Sequence, residues 1–323
     1  MNLNVKKLIE SKVSLAPMAG ITDYVLRGLV RKYSPRALLT TEMISSEYLR
    51  QMPGGTILKS DESQHPISYQ ISGHKPELMA QAAKFLADRA DIIDINMGCP
   101  VNKVVKGQDG AALMRNVPLA KEIVSAVKEN TTCPVSVKFR LGYTQDEMNF
   151  VEFGQAMQES GAEFITIHAR TRAQLYSGTA DWKKIKDLVS NIDIPVFANG
   201  DIKSVESAIL CLEQSHAQGV AVGRAAMGDP TLIGRIEHYF KTGEILPPPN
   251  ISDRVAILKK HIDEEILLRR EDVAIKFMRK FYPFYLSGFE HAKQLRVKII
   301  TEENYSVIMN ALDEALKSST IVL

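Results

Sequence analysis

Residues that could take part in catalysis or bind a ligand recur directly after short apolar segments of this chain. Cys99 is the most reactive of them. It lies in the segment NMGCP, close behind Asn96. A free thiol has a pKa of about 8.5, so at neutral pH it can donate a proton as a general acid. It becomes a nucleophile where neighbouring cations lower that pKa, and the alternative role is that of a small buried apolar residue. We assign that structural role to Cys133 and Cys211, which lie outside such segments.

Two glycine-containing segments indicate a site for an anion. ANGD at 198–201 and VGRA at 222–225 each follow an apolar run. Gly200 and Gly223 permit a close approach of the backbone, whose N–H groups bind phosphate, and Arg224 can complement the negative charge. Two tight turns that merely require glycine are the alternative.

Lys138 ends a further apolar run, VSVKF, and is followed by Arg140. A buried cation at such a position could stabilise negative charge on a heterocycle. Alternatively, this lysine forms an ion pair with a carboxylate at the end of another run, such as Glu42 or Asp94.

The elements that must position these residues are short β-branched runs alternating with segments of helical periodicity. The predicted strands begin near Val13, Leu38, Ile67, Ile92, Val135, Phe164, Val196 and Gly219. The clearest helices between them are predicted at 76–89, 119–129, 147–160 and 204–215. Most of the runs are apolar on both sides, as in parallel strands that are buried on both faces. Ser204 has the character of a helix N-cap.

Eight strand–helix units in succession predict an α/β fold, a (β/α)₈ TIM barrel. An open doubly wound sheet is the alternative, which the lack of a GxGxxG opening makes less favourable. Residues 98–114 form a connection longer than is usual unless it has a function. In such barrels the reactive groups lie at the carboxyl ends of the strands, where all the residues named above fall.

The pattern changes beyond the eighth unit. Residues 242–250 contain three consecutive prolines, typical of a stiff linker. The remaining segment shows no strand pattern, and its helices are predicted at 252–268, 274–285, 292–301 and 306–317. We therefore expect a catalytic barrel domain at 1–241 and a small all-helical C-terminal domain at 251–323.

One window of the helical segment, 273–300, is rich in basic residues, with Glu290 as its single acid. The basic residues are Lys276, Arg279, Lys280, Lys293, Arg296 and Lys298. The aromatic residues Phe281, Tyr282 and Phe284 lie among them, a combination suited to phosphates and bases. A solvated helix face backed by core aromatics is the equally weighted alternative.

Composition excludes several classes of protein. With 45% hydrophobic and 24% charged residues, the 323-residue chain is typical of globular proteins rather than disordered ones. The sequence contains neither a transmembrane run nor a signal peptide, and three cysteines are too few for a disulfide framework, so we expect a cytoplasmic protein. The cysteines lack metal-site spacing, and a net charge of +2 indicates no particular partner.

Nine segments, in this order, resemble the flavin-dependent tRNA-dihydrouridine synthases, most closely the DusB branch. They are APMAGITD (16–23), QISG (70–73), DINMGCP (94–100), KGQDGAALM (106–114), VKFRLG (137–142), IHARTR (167–172), SGTADW (177–182), NGDI (199–202) and GRAAMGDP (223–230). The resemblance is dense over 13–230 and thinner in the C-terminal segment.

The resemblance implies an enzyme that binds FMN, takes electrons from NADPH and reduces the C5–C6 double bond of uridines in tRNA. It implies flavin contacts by Pro17, Met18, Ala19, Gln70, Lys138, His168, Asn199, Gly200, Asp201, Gly223 and Arg224. Cys99 corresponds to the residue that protonates C5. Substrate contacts are expected from Asn96, Arg140 and Arg170 on the barrel and from Arg279, Lys280 and Arg296 on the helical domain. No metal and no obligatory protein partner are expected.

Two other functions remain open. An FMN barrel acting on a small molecule, similar to dihydroorotate dehydrogenase, would share the lysine and the phosphate site but would not need a basic helical domain. A barrel or RNA-binding module without catalysis would not need Cys99, Lys138 and Asn199 together. A yellow colour of the purified protein would exclude the second alternative. Reoxidation of its reduced flavin by tRNA, but not by orotate or enones, would exclude the first.

Overall fold

The computed structural model describes residues 3–319, in which parallel strands close into a barrel. The strands are β1 (Val13–Leu15), β2 (Leu38–Thr40), β3 (Ile44–Ser45), β4 (Ile67–Ser72), β5 (Ile92–Asn96), β6 (Val135–Arg140), β7 (Phe164–His168), β8 (Val196–Asn199) and β9 (Gly219–Val222). Strand β1 pairs with both β2 and β9, and β2 pairs with β4, which closes the ring. The short β3 only extends the edge of β4. The predicted (β/α)₈ barrel is confirmed, and the open sheet is excluded.

Helices surround this barrel and continue beyond it. In the barrel part they are α1 (Leu3–Leu8), α2 (Tyr24–Tyr33), α3 (Ser46–Gln51), α4 (Pro76–Leu86), α5 (Asn102–Lys106), α6 (Val117–Glu129), α7 (Phe150–Glu159), α8 (Trp182–Val189), α9 (Val205–Ser215) and α10 (Thr231–Thr242). The later helices are α11 (Ile251–Leu268), α12 (Glu271–Met278), α13 (Tyr282–Tyr285), α14 (Ala292–Ile300) and α15 (Tyr305–Ser319). Ser204 caps α9 as predicted, in a capping box with Ser207. No helix within 3–319 is long and apolar enough to cross a membrane.

The two faces of the barrel strands differ in chemistry. One side of each strand packs against the helices in a continuous apolar core that includes Val137, Phe139, Ile165 and Ile167. The other side faces the barrel interior, where polar residues from several strands surround a small void. They include Ser14, Thr40, Ser68, Asp94, Ser136, Lys138 and Thr166. The sequence pattern predicts strands that are apolar on both faces. The barrel interior is more polar than that expectation, and its polar groups can stabilise buried charge.

The long connection after β5 is ordered rather than open. It contains α5 and a 3₁₀ helix at Gly110–Arg115. The backbone N–H of Ala111 donates to the carbonyl of Cys99 at 3.1 Å. Gly110 has φ +60°, and a β-carbon on it would lie 2.8 Å from that same carbonyl oxygen. The connection therefore folds back closely on Cys99, and this contact requires a glycine.

The C-terminal helices have an apolar core of their own, which reaches into the barrel surface. Leu26 of α2 and Met227 belong to the same cluster as the buried residues of α11 to α15. A β-carbon on Gly228 would lie 2.5 Å from the backbone of Phe284, so the two parts touch backbone to backbone there. Lys280 Nζ also donates to the Gly20 carbonyl at 2.8 Å.

A buried ion cluster crosses the same boundary. Arg269 donates to Asp23 of the barrel part and to Glu265 of α11, each at 2.7 Å. Burial, together with the charge of Glu265, raises the pKa of Asp23 to about 6. Loss of Arg269 would leave two buried carboxylates together, which is strongly unfavourable.

The division at 241–251 can be tested by limited proteolysis. Residues 244–249 lie between α10 and α11 without helix or strand and include the three prolines. Irregular exposed backbone is where proteases cut first, so we expect the earliest fragments to end within this segment. First cuts inside β7 to β9, measured by mass spectrometry of the fragments, would contradict the division.

Candidate active site

A cavity of about 630 Å³ opens at the carboxyl ends of the barrel strands. Every residue expected to contact a flavin lines it, namely Pro17, Met18, Ala19, Gln70, Lys138, His168, Asn199, Gly200, Asp201, Gly223 and Arg224. Cys99, Asn96 and Arg140 line it as well. The structure therefore brings together side chains from strands that are far apart in the sequence.

The end of the cavity beyond β8 and β9 carries the glycines and the arginine. Gly200 has φ +120° and the next residue, Asp201, has φ +55°. Asp201 pairs with Arg224 at 3.5 Å, while the Arg224 side chain stays about half exposed. Within residues 3–319, the Met18 sulfur is the one atom outside the adjoining residues that would lie within 4 Å of a β-carbon on Gly223, so a ligand can approach the backbone there.

Cys99 is held by its own loop. The Asn96 side-chain oxygen accepts hydrogen bonds from the backbone N–H groups of Gly98, at 3.2 Å, and of Cys99, at 2.9 Å. The thiol-bearing residue is half-buried, whereas Cys133 and Cys211 are buried. Burial raises the pKa of the Cys211 thiol to about 12. These contacts distinguish Cys99 from the two structural cysteines.

Two nitrogen bases that line the cavity, Lys138 and His168, differ in protonation state. Burial, together with the positive charge of Arg140, lowers the pKa of Lys138 to about 8, while Asp94 and Cys99 oppose this shift. Lys138 is therefore mostly an ammonium at neutral pH. Burial and the neighbouring cations lower the pKa of His168 well below its usual value. The imidazole is thus neutral, and one of its nitrogens can accept a hydrogen bond.

Arg140 holds two loops over the cavity. It donates to the carbonyls of Gly98 at 2.8 Å and of Thr171 and Leu175 at 2.9 Å. Burial lowers the pKa of Arg140 to about 10, so the guanidinium remains charged. It links the loop of Cys99 to the loop that follows β7, in addition to lining the cavity.

Arg170, from which a substrate contact is expected, is not among the residues that line the cavity. Its side chain is buried, with 1% of the residue exposed. It donates to the Gly178 carbonyl at 2.7 Å and to Asp201 at 2.6 Å. Within the described residues its contacts are therefore structural: it fixes Asp201 and the loop after β7.

Two aromatic residues also line the cavity: Tyr176, which the sequence analysis missed, and Phe284, which it placed in the basic window of the helical segment. Tyr176 is 54% exposed, and its ring lies 4.7 Å from the Arg224 guanidinium carbon. Phe284, from the C-terminal helices, also lines the cavity. Its neighbours Phe281 and Tyr282 are fully buried in the helical core, so for them the core alternative is correct.

The basic residues of the helical part lie away from the cavity lining. Lys280 reaches the barrel at Gly20 and lies 3.5 Å over the ring of Phe277. Arg279 is paired with Glu303 at 3.4 Å, and Arg296 donates to the Leu286 carbonyl. All three residues are half-buried, and none of them is among the residues that line the cavity.

The cavity fits a flavin mononucleotide. Its volume is within the range of 300 to about 1,000 Å³ that small-molecule sites occupy. Gly223 leaves room for a phosphate beside Arg224, and the Lys138 ammonium lies on the floor where a heterocycle can rest. Lys138 could stabilise negative charge on that heterocycle, and Cys99 could deliver a proton to a second molecule at the mouth.

Comparison with known proteins agrees with this arrangement. A family model described as dihydrouridine synthase (Dus) matches residues 14–320. A Synechocystis sp. protein named probable tRNA-dihydrouridine synthase 1 is 40% identical over 98% of this chain and 89% of its own length. The tRNA-dihydrouridine synthase B of Shewanella oneidensis is 35% identical, over 96% of this chain and 98% of its own. The family match and this level of identity mean that the chain belongs to the dihydrouridine synthase family.

Proposed function

We propose that this protein is a tRNA-dihydrouridine synthase that uses FMN and NADPH to reduce the C5–C6 double bond of uridines in cytoplasmic tRNA. Dihydrouridine synthases are flavin-dependent oxidoreductases, and the similar proteins are named for action on tRNA. The observation that carries the proposal is the meeting of Cys99, Lys138 and Asn96 in one cavity large enough for a flavin.

Bound FMN, once reduced by NADPH, would supply the hydride that adds to C6 of the uracil. Cys99 then donates its thiol proton to C5, and Asn96 holds the Cys99 backbone in place for that transfer. Lys138 and Arg224, which line the cavity, would hold the cofactor through charge. Arg140 links the loop of Cys99 to the loop after β7.

The target base must leave the RNA stack to reach Cys99. Such flipping costs a few kcal/mol, which contacts with the extruded base can offset. Tyr176 and Phe284 offer exposed aromatic surface at the mouth, where an extruded base could stack.

The decisive experiment reoxidises the reduced flavin of the purified protein with different acceptors. We expect unmodified tRNA to reoxidise the flavin and to gain dihydrouridine, with orotate and enones ineffective. Reoxidation by orotate but not by tRNA would instead establish the dihydroorotate dehydrogenase-like alternative. A protein that purifies without flavin and binds none would contradict both functions.

The basic residues of the helical part provide a prediction about RNA binding. We expect Arg279→Ala combined with Lys280→Ala to raise the apparent KM for tRNA and to flatten its salt dependence. The slope should fall by about one unit for each lost phosphate contact. The measurement is the initial rate of tRNA reduction over a range of salt concentrations.

The matched control removes two lysines from the outer helix α8, Lys183→Ala with Lys184→Ala. This control should retain the wild-type salt slope. Because Lys280 also contacts Gly20, single variants are needed to separate RNA contact from docking of the helices. An unchanged salt slope in the Arg279/Lys280 variant would mean that these residues do not contact RNA phosphates.

A further inference from the structure

A buried carboxylate beneath the cavity has no role in the function proposed so far. Asp94, on β5, is 4% exposed and faces the polar interior of the barrel. One of its oxygens accepts a hydrogen bond from the Ser136 hydroxyl at 2.5 Å, and the other accepts from Gln70 Nε2 at 2.6 Å. Burial raises the pKa of Asp94, whereas the hydrogen bonds from Ser136 and Gln70 and the charge of Lys138 oppose that shift. A carboxylate whose two oxygens each face a donor is favoured in its ionised form.

This carboxylate fixes the direction of a chain of amide hydrogen bonds. With its Nε2 group turned to Asp94, Gln70 presents Oε1 to the Nδ2 group of Asn96, at 2.8 Å. Asn96 therefore has its own oxygen free to accept from the backbone N–H groups of Gly98 and Cys99. If both amides turned over, Gln70 would place an oxygen against the carboxylate and Asn96 would place an NH₂ group against two N–H donors. The charge on Asp94 thus selects one orientation for the whole chain.

The end of the chain is Cys99 itself. Its backbone N–H is held at 2.9 Å by Asn96, and its carbonyl is held from the other side by Ala111. A residue tethered on both sides by its backbone presents its side chain in a narrow range of directions. Loss of one tether should let the thiol sample others.

Other charged and titratable groups face the same region. Lys138 and Arg140 on β6 and His168 on β7 line the cavity above Asp94, with Cys99 at the mouth. Asp94 supplies negative charge to this group of cations and helps Lys138 to stay protonated. Removing the carboxylate therefore changes both the amide chain and the local charge, and the experiment must distinguish the two effects.

We propose that Asp94 is a positioning residue, which acts through the Gln70 and Asn96 amides to hold the Cys99 backbone so that the thiol faces the cavity. The catalytic meaning of this inference rests on the proposed function, in which Cys99 is the proton donor. The placement of Cys99 itself can be tested without flavin or RNA.

The test is the rate of alkylation of Cys99 by iodoacetamide in the flavin-free protein, followed by peptide mass spectrometry across a pH series. In Asp94→Asn, the new amide can present either its oxygen or its NH₂ group to Gln70. It therefore no longer selects one orientation of the Gln70 and Asn96 amides. Cys99 is half-buried in the orientation that the amide chain selects. Once released from that orientation it should sample more exposed ones, so we expect it to react about threefold to tenfold faster at the high-pH plateau, the factor that corresponds to one net hydrogen bond. A purely electrostatic effect would move the midpoint of the pH profile and leave the plateau unchanged.

Controls lie within the same protein. Cys133 and Cys211 should remain equally slow in wild type and variant, which reports that the barrel is intact. Asp91→Asn makes the same chemical change at a carboxylate that binds His65 and the Ile67 N–H, and it should leave Cys99 unchanged.

A second variant keeps the test decisive if Asp94→Asn fails to fold. Gln70→Met breaks the amide chain without changing charge and should also accelerate alkylation of Cys99. A wild-type plateau rate in a folded Asp94→Asn or Gln70→Met protein would overturn the proposal.

With flavin and tRNA present, Asp94→Asn should slow single-turnover reduction of tRNA while leaving the apparent Kd for tRNA unchanged. If alkylation accelerates as expected but Cys99→Ala retains full activity, Asp94 still positions Cys99, and only the proposed proton donor is wrong. The two failures are therefore distinguishable.

Discussion

Replacing Cys99 with alanine should slow the reduction of tRNA by about 10²- to 10⁴-fold, the range that general acid catalysis contributes. The alanine variant loses the proton source for C5 but keeps the loop, because the loop is held by backbone contacts with Asn96 and Ala111. Flavin binding and reduction by NADPH should therefore remain. The measurement is single-turnover reoxidation of the reduced flavin by tRNA.

The other two cysteines are matched controls. Cys133 is buried, with its sulfur 3.1 Å from the carbonyl of Ala90, and Cys211 is fully buried in α9. Cys133→Ala and Cys211→Ala should cost some stability but little activity. If Cys99→Ala reoxidised with tRNA at the wild-type rate, or if it failed to bind FMN, Cys99 would be a structural residue.

The second large effect is expected from Lys138→Met, which keeps the length of the side chain and removes its charge. Loss of one preorganised electrostatic group in a buried site typically costs about 10²- to 10³-fold in rate. We expect weaker FMN binding and a decrease of about this size in the rate of flavin reduction by NADPH. Absorbance of the flavin in stopped-flow experiments measures both the binding and the reduction, with the exposed Lys84→Met as control.

The affinity for FMN should depend on pH in a direction set by the charge of Lys138. Lys138 carries charge below its pKa of about 8 and loses it as the pH rises through that value. The affinity of the wild-type protein for FMN should therefore be full below this pH and weaken above it. In Lys138→Met the affinity should be lower and should not change over the same interval. A wild-type affinity that stays constant through pH 8 would argue against a charged Lys138 in cofactor binding.

The barrel could be predicted because each of its strands is encoded by a short run of consecutive residues. Each of the eight strands that close the barrel begins where a predicted run begins, whereas the short β3 was not predicted. The cavity residues lie at the ends of these strands or soon after them, so strand order alone places them at one end of the barrel. The predicted helix at 274–285 was wrong as one element. It is broken into α12 and α13, and Pro283, which disfavours the α conformation at the residue before it and lacks an N–H, lies in the second piece.

The remaining features depend on tertiary contacts. Arg170 is polar and follows a strand, as cavity residues do, yet it does not line the cavity and instead binds Asp201 and Gly178. Tyr176 and Phe284 reach the cavity only because one loop folds over the barrel and the helical part docks against it. Neither sequence periodicity nor residue type indicates where these three side chains lie relative to the cavity.

The backbone contact between Gly228 and Phe284 limits how the chain can be divided for engineering. A chimera that exchanges only the segment after the prolines would pair a foreign helical surface with Leu26 and Met227, which belong to the apolar core of those helices. It would also replace the partners of Asp23 and Gly20. The unit of transplantation is therefore the C-terminal helices together with the barrel surface that they cover, and a graft designed on that boundary should retain the wall that Phe284 gives to the cavity.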